Sequence, residues 1–155
     1  MSVAVLKGWS PASGRMAPGE SGQAGHRLNI SVVFTSVEST LAALKVAAAL
    51  ANNLGARIAL LVPQVVPHPL PLENPPVRSE FNEKRFRVIA SDSPVETSVL
   101  MCLCRDRFVT LTSVLAPRSI VVLGGPKGQW WPTRDKALAR KLRRAGFEVI
   151  YKETE

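Results

Sequence analysis

The amino-acid sequence predicts an α/β fold, with a mainly parallel five-stranded sheet and helices on both of its faces. Short β-branched runs alternate along the chain with segments whose apolar residues recur at helical spacing. The runs are too apolar for exposed edges and are typical of strands buried in a parallel sheet. With 155 residues, of which 46% are apolar, the chain is long enough for one domain with a substantial core.

The first part of the domain has the pattern of a strand–helix–strand unit. Residues 29–34 predict a strand, and a helix with alanines and leucines at helical spacing follows from Ser36 or Ser39. Gly55 marks the end of this helix, and residues 56–62 predict a second buried strand. Such a unit requires a parallel pair of strands and a right-handed crossover.

The middle of the chain begins with a proline-rich stretch. Six prolines lie between residues 63 and 76 and predict a long surface loop. After it, the alternation of charged and apolar side chains in residues 85–90 predicts a third strand.

A helix start signal follows the predicted third strand. Ser93 is placed as N-cap, Pro94 as the first helical residue and Glu96 as the partner in a capping box. This pattern predicts a helix over residues 94–105, and a second helical segment follows over residues 107–115.

The carboxyl-terminal part completes the predicted sheet. Residues 120–123 predict the fourth strand, and a helix begins at Thr133 or Asp135 and stops at Gly146. Residues 147–152, from FEV to IYK, predict the fifth strand. The resulting order, β-α-β, loop, β-α-β-α-β, is that of a doubly wound, Rossmann-like sheet.

The domain is predicted to span residues 28–155. Residues 1–27 are rich in Gly, Ser and Pro without a sustained period, and predict a disordered tail.

Composition limits the classes of function. The net charge of +8 and a pI near 10.2 favour anionic partners or serve solubility alone. No apolar run reaches the length of about 18 residues that a membrane span needs, and no signal peptide is recognisable, so we expect a cytoplasmic protein. Cys102 and Cys104, two positions apart on the predicted helix, are expected to be reduced and buried.

The segment from residue 120 to 141 combines a strand, a glycine-rich loop and a helix N-terminus. This arrangement is typical of a phosphate-binding corner, with Gly125, Lys127, Gly128 and Arg134 as the candidate phosphate-binding residues. The alternative is a tight turn in which glycine supplies a positive φ. No Gly-Lys-[Ser/Thr] sequence follows, so the segment is not a Walker loop.

The last predicted helix is strongly basic. On a helical wheel the side chains opposite its apolar face are basic and form a candidate anion-binding face. This face consists of Lys136, Arg140, Arg143 and Arg144. Two interpretations remain open, a solvated outer face and a surface that binds nucleic acid.

The remaining candidate residues indicate neither catalysis nor metal binding. Trp130 and Trp131 are adjacent, so one is expected to cover the sheet and the other to face a ligand or partner. His26 and His68 have no metal-ligand partners at suitable spacing, and no base lies beside a candidate nucleophile. We therefore expect a protein without enzymatic activity.

Four segments carry a resemblance to the universal stress protein family over residues 28–152. They are ISVVFTSVESTLAALKVAAALANNLGARIALL, VIASDSPVET, IVVLGGPKG and KALARKLRRAGFEVIYKE. They are similar, in this order, to the family's first βαβ unit, a strand that enters a Pro-capped helix, the phosphate loop, and the closing helix with the last strand. The resemblance implies a regulatory or stress-protective domain that forms a homodimer through its last strand, here from Phe147 to Lys152.

The resemblance also bears on nucleotide binding. Members that bind ATP have Asp at the end of the first strand, where this chain has Thr35 followed by Ser36, which the resemblance adds to the candidate nucleotide-binding residues. Their motif is Gly-x2-Gly-x9-Gly-[Ser/Thr]; Gly125 and Gly128 match its first half, but a leucine and an alanine, Leu138 and Ala139, stand in the second. We therefore expect nucleotide binding to be lost or altered. A sensor of ATP or AMP that uses the loop 124–128 is the alternative.

Overall fold

The computed structural model describes residues 4–9, 28–68, 79–117, 119–128 and 130–155. The strands are β1 (Ala4–Trp9), β2 (Asn29–Val33), β3 (Arg57–Val65), β4 (Thr97–Cys104), β5 (Ile120–Pro126) and β6 (Glu148–Thr154). The helices are α1 (Val37–Leu54), α2 (Ser79–Ser91), α3 (Arg107–Val114) and α4 (Arg134–Arg144).

The described strands form one sheet in the order β1-β4-β3-β2-β5-β6. The five strands from β2 to β6 are parallel, and only β1 runs antiparallel, beside β4. The α/β fold with a mainly parallel sheet is therefore confirmed. Because β2 lies between β3 and β5, the chain winds outwards in both directions from the centre of the sheet.

The helices cover both faces of the sheet, and each face has its own core. One core joins α1 and α2 to the sheet around Ile30, Val32 and Leu60, which are almost fully buried. The other joins α3 and α4 to the opposite face around Val33, Leu111 and other buried side chains. Strands whose alternate residues fill two cores are apolar throughout, as the sequence indicated.

The prediction for the first unit is confirmed. Ser36 caps α1, since its hydroxyl accepts a hydrogen bond of 3.2 Å from the backbone N–H of Ser39. Gly55 ends the helix in the left-handed conformation, at φ 63°. The following strand extends beyond its predicted end through Pro63 to Val65, so the first three residues of the predicted proline-rich loop belong to β3. The loop residues 69–78 lie outside the described part.

In the middle of the chain the predictions for helix and strand were interchanged. The segment 85–90, predicted as a strand, belongs to α2. Its buried residues are Phe86, Ile89 and Ala90, which have helical rather than alternating spacing. A segment of six residues is too short to distinguish the helical period from the alternation of a strand.

The helix predicted over 94–105 was also wrong, because this segment contains β4. The Ser93 hydroxyl accepts a hydrogen bond of 3.4 Å from the N–H of Val95, so it closes a local turn rather than capping a helix. The eight residues of β4 have no polar face, and the strand lies inside the sheet between β3 and β1. The segment VIASDSPVET is therefore not a strand that enters a helix. It contains the end of α2, a turn and the first residue of β4.

The prediction of a disordered tail fails for residues 4–9. They form β1 and pair antiparallel with residues 99–103 of β4. This pairing completes the hydrogen bonding of β4, which would otherwise be a long apolar edge. Residues 1–3 and 10–27 lie outside the described part. No helix in the described residues is both long and apolar enough to cross a membrane.

Candidate functional site

The carboxyl ends of β2 and β5 are adjacent, and the chain continues from them to opposite faces of the sheet. The chain leaves β2 into α1 on one face of the sheet and leaves β5 towards α4 on the other. Such a division opens a crevice in which doubly wound proteins bind ligands. We call Thr35, Ser36 and residues 124–128 the β2–β5 corner.

Hydrogen bonds within the chain connect the two sides of this corner. The hydroxyl of Thr35 donates to the carbonyl oxygen of Gly124 at 2.7 Å. The backbone N–H of Thr35 donates to the hydroxyl of Thr40 at 3.2 Å, and the hydroxyl of Ser36 caps α1. The polar groups that follow β2 are thus engaged with the protein itself.

Gly124 and Gly125 lie within β5 and allow other parts of the protein to approach it closely. A Cβ on Gly124 would overlap the carbonyl oxygen of Ser39, and one on Gly125 would overlap the hydroxyl of Tyr151. Neither glycine has a positive φ, which among the described glycines occurs at Gly55 and Gly146. The alternative of a turn with a positive φ at these positions is therefore wrong, and their small size serves close packing.

The end of β6 closes the corner from the other side. The hydroxyl of Thr154 donates to the carbonyl oxygen of Gly125 at 3.2 Å and lies 3.1 Å from the hydroxyl of Ser39. The backbone N–H of Lys127 donates to the carbonyl oxygen of Thr154 at 3.1 Å. This N–H is therefore already bonded and does not point freely to an anion.

The rest of the glycine-rich segment is held by the start of α4. The hydroxyl of Tyr151 lies 3.3 Å from that of Thr133, the N-cap of α4, and 3.4 Å from the carbonyl oxygen of Pro126. A Cβ on Gly128 would lie 2.7 Å from the carbonyl oxygen of Trp131. No sequence pattern indicated these contacts by Tyr151 and Thr154, because they depend on the register of β5 with β6.

The candidate anion-binding face of α4 divides into two parts. Towards β6, the ammonium group of Lys136 forms an ion pair of 2.7 Å with Glu153, and the Arg143 guanidinium donates to the carbonyl oxygen of Val149. Arg140 and Arg144 are exposed, and neither has a polar partner in the described part of the chain. The free cations therefore lie on the side of α4 away from β6.

The opposite side of α4 contributes to a shallow cleft against α3, with a volume of about 350 Å³. We call it the α3–α4 cleft. Its polar or aromatic lining consists of Arg105, Asp106, Arg107, Phe108, Arg134 and Lys141. Arg134, which the sequence placed at the phosphate corner, thus lines this cleft at the first residue of α4.

The cations of the cleft differ in their contacts. Arg105 donates to the carbonyl oxygen of Val66 at 2.7 Å, and Arg107 lies 3.5 Å from the carboxylate of Asp135. The Lys141 ammonium lies 5.9 Å from the centre of the Phe108 ring. The sequence did not identify Arg105 or Arg107 as site residues, because the strand before them was predicted as a helix.

Both tryptophans of the loop before α4 are exposed, Trp130 to 90% and Trp131 to 84%. The expectation that one of them covers the sheet is therefore wrong. Pro126 and Pro132 flank this short loop, and the cores under it are filled by aliphatic side chains of β5 and α4. The two indole rings are free to contact a partner.

The two cysteines are buried, as predicted, but on a strand rather than a helix. Burial, together with a smaller contribution from the neighbouring Cys104, raises the pKa of Cys102 to about 11. The pKa of Cys104 is also raised, chiefly by burial. Neither thiol has the low pKa of a nucleophile. In the described residues no cluster of His, Cys, Asp and Glu could hold a metal ion.

No family model matches this chain, and no curated protein sequence is significantly similar to it. The fold is similar to the crystal structure of a protein from the universal stress protein family from Burkholderia pseudomallei. The superposition covers 81% of this chain and 96% of that one, with a TM-score of 0.55 and 17% sequence identity. The chain therefore has a fold like that of universal stress proteins.

Proposed function

We propose that this chain is a non-catalytic regulatory domain of the universal stress type in which the nucleotide site is closed. The observation that carries the proposal is the hydrogen bond of 2.7 Å between the Thr35 hydroxyl and the Gly124 carbonyl oxygen. It joins the two strand ends between which a nucleotide would enter. Thr154 supports the proposal, because its carbonyl oxygen accepts a hydrogen bond from the backbone N–H of Lys127. That N–H is therefore not available to a phosphate.

The residues of α4 support the same proposal. Leu138 and Ala139 are buried in the core under the sheet, at the positions where the family motif has Gly and Ser or Thr. Neither side chain has a hydroxyl, and a leucine there leaves no room for a phosphate beside the helix. In this proposal the domain regulates through protein contacts rather than through a nucleotide.

Melting curves with and without millimolar ATP or AMP test the closed site. We expect the melting temperature to stay unchanged, because a ligand stabilises a fold only if it binds the folded state. A rise in melting temperature that Gly128→Glu abolishes would overturn the proposal in favour of a nucleotide sensor. Nucleotide that co-purifies with the protein in native mass spectrometry would overturn it as well.

We further propose that the domain forms a homodimer through β6. Among the described strands β6 lies at the edge of the sheet, so one row of its backbone N–H and C=O groups is available to a second copy. Its side chain Ile150 is 37% exposed, which adds apolar surface to the edge.

Native mass spectrometry at micromolar concentration tests the dimer. We expect a dimer mass for the natural sequence and a monomer mass for Ile150→Lys. Val88→Lys is the matched control, because Val88 is 64% exposed on α2, away from this edge. A monomeric natural sequence would contradict the dimer, and a dimer that Ile150→Lys leaves intact would place it on another surface.

A further inference from the structure

The α3–α4 cleft begins at Arg134, the first residue of α4, and the two tryptophans precede that residue by four and three positions. We propose that together they bind single-stranded nucleic acid, with phosphates in the cleft and bases on the indole rings. This surface uses neither the hydrogen bonds that close the β2–β5 corner nor the edge of β6. The inference therefore depends on neither the closed nucleotide site nor the dimer.

The charge of the cleft suits a chain of phosphates. Four basic side chains and one carboxylate, that of Asp106, line it, and the carboxylate already accepts a hydrogen bond of 2.9 Å from the N–H of Val109. Arg134 and Lys141 form no ion pair with a described residue. Lys141 follows two turns after Arg134, about 10 Å along the helix axis, so the two cations can contact successive phosphates rather than one.

The cationic surface continues beyond the cleft along the outer side of α4. Arg140 and Arg144 are one helical turn apart and exposed to solvent. From Arg134 to Arg144 the free cations span about 15 Å. A single mononucleotide would leave most of this length unused, whereas an extended polyanion would cover it.

The tryptophans supply the second requirement of such a site. Exposed aromatic rings beside a basic groove stack on unpaired bases, and this contact is tolerant of sequence. Trp131 precedes Arg134 by three residues, so its ring lies within reach of a base whose phosphate contacts the first turn of α4. Phe108 also lines the cleft, where it packs partly against the core and the Lys141 ammonium lies over its ring.

The shape of the site distinguishes a single strand from other anionic partners. In duplexes the bases are stacked on each other and cannot stack on Trp130 or Trp131. A lipid surface contacts exposed side chains but does not enter a cleft between two helices. Of the cations that line the cleft, Arg107 is only 28% exposed and is therefore better suited to a flexible single strand than to a flat surface.

Fluorescence anisotropy of a labelled 12-nucleotide single strand, oligo(dT) or oligo(U), tests the proposal with the full chain. We expect binding that weakens steeply with salt and that quenches tryptophan fluorescence. Trp130→Ala with Trp131→Ala should weaken binding roughly fivefold or more and remove most of the quenching, since stacking contributes about 1–3 kcal/mol per base.

Charge reversal tests the cleft separately. Arg134→Glu with Lys141→Glu should weaken binding at least tenfold and reduce the slope of log K against log salt by about 1.4, or 0.7 for each phosphate contact. The matched control is Lys45→Glu with Lys84→Glu, which makes the same change of charge on the exposed surfaces of α1 and α2. Circular dichroism checks that all variants remain folded.

Four outcomes would overturn the proposal. They are the absence of binding, equal affinity for the corresponding duplex, an equal loss of binding in the control variant, and fluorescence changes with phosphatidylserine vesicles but not with the oligonucleotide. The third would mean attraction by net charge alone, and the fourth would assign the surface to an anionic membrane.

Discussion

Replacing Gly124 with alanine should destabilise the fold, because β5 and the first turn of α1 are in direct contact at this residue. A Cβ there would overlap the carbonyl oxygen of Ser39 and lie 2.7 Å from its carbonyl carbon. These are backbone atoms, so no side-chain rotation relieves the overlap and α1 must move away from β5. The backbone of Gly124 is not at positive φ, so the collision is the main cause of the effect.

The size of the effect follows from two contributions. Insertion of a methyl group into a packed interior costs about 1–3 kcal/mol. Movement of α1 also weakens the hydrogen bond between the Ser39 and Thr154 hydroxyls, which adds about 1 kcal/mol. The free energy of unfolding should fall by about 2–4 kcal/mol in total. In a domain of this size this lowers the melting temperature by roughly 5–15 °C.

Urea denaturation followed by circular dichroism measures this change. Gly55→Ala is the control, because Gly55 has a φ of 63° and no atom within 4 Å of an added Cβ. It reports the cost of an unfavourable φ alone, about 1 kcal/mol. If Gly124→Ala is no more destabilising than Gly55→Ala, then β5 and α1 are not in contact at the corner and the closed site has no structural basis.

Two further predictions concern titratable groups. Iodoacetamide at pH 8 should leave Cys102 and Cys104 unmodified in the folded protein and alkylate both in urea, because burial raises both pKa values; mass spectrometry that finds either thiol alkylated without urea would contradict their burial. Lys136→Gln should raise the pKa of Glu153 towards its ordinary value of 4.5, measured by NMR titration, because the hydrogen bond from Lys136 holds this pKa down. Since the carboxyl pKa is lower in the folded state, the stabilisation is present above pH 4.5 and is lost as the pH falls through the folded-state pKa, and an unchanged Glu153 titration in the variant would exclude the ion pair.

The first strand–helix–strand unit and the last helix with its strand were predictable, because several sequence patterns agree in each of them. In α1 the apolar period, the cap at Ser36 and the stop at Gly55 all agree. In α4 the cap at Thr133 and the basic last turn agree in the same way. Each helix is followed by a short segment with β-branched residues that is typical of a strand.

The middle of the fold was not predictable from local pattern. The capping-box residues near Ser93 indicated a helix, but the pairing of β4 with β3 on one side and β1 on the other determined a strand. Tertiary contacts of this kind override local propensity. β1 itself was hidden by the glycines and prolines that follow it.

The candidate site was predictable only in part, for a related reason. The strand–glycine–helix segment identified the corner, and the charge count identified α4. Whether the corner is open depends on Tyr151 and Thr154, which reach it through the register of β6. The division of the cations of α4 between β6 and α3 depends on how the helix is rotated against the sheet, which a helical wheel does not give.

The contacts that close the β2–β5 corner join residues that are distant along the chain, 89 positions apart for Thr35 and Gly124 and 115 for Ser39 and Thr154. We expect contacts that close such long loops to form late in folding, after the local contacts of the consecutive elements β2, α1 and β3. Changes at the corner therefore alter the rate of unfolding more than the rate of folding. Substitutions at the corner should therefore change how long the domain stays folded rather than how fast it folds.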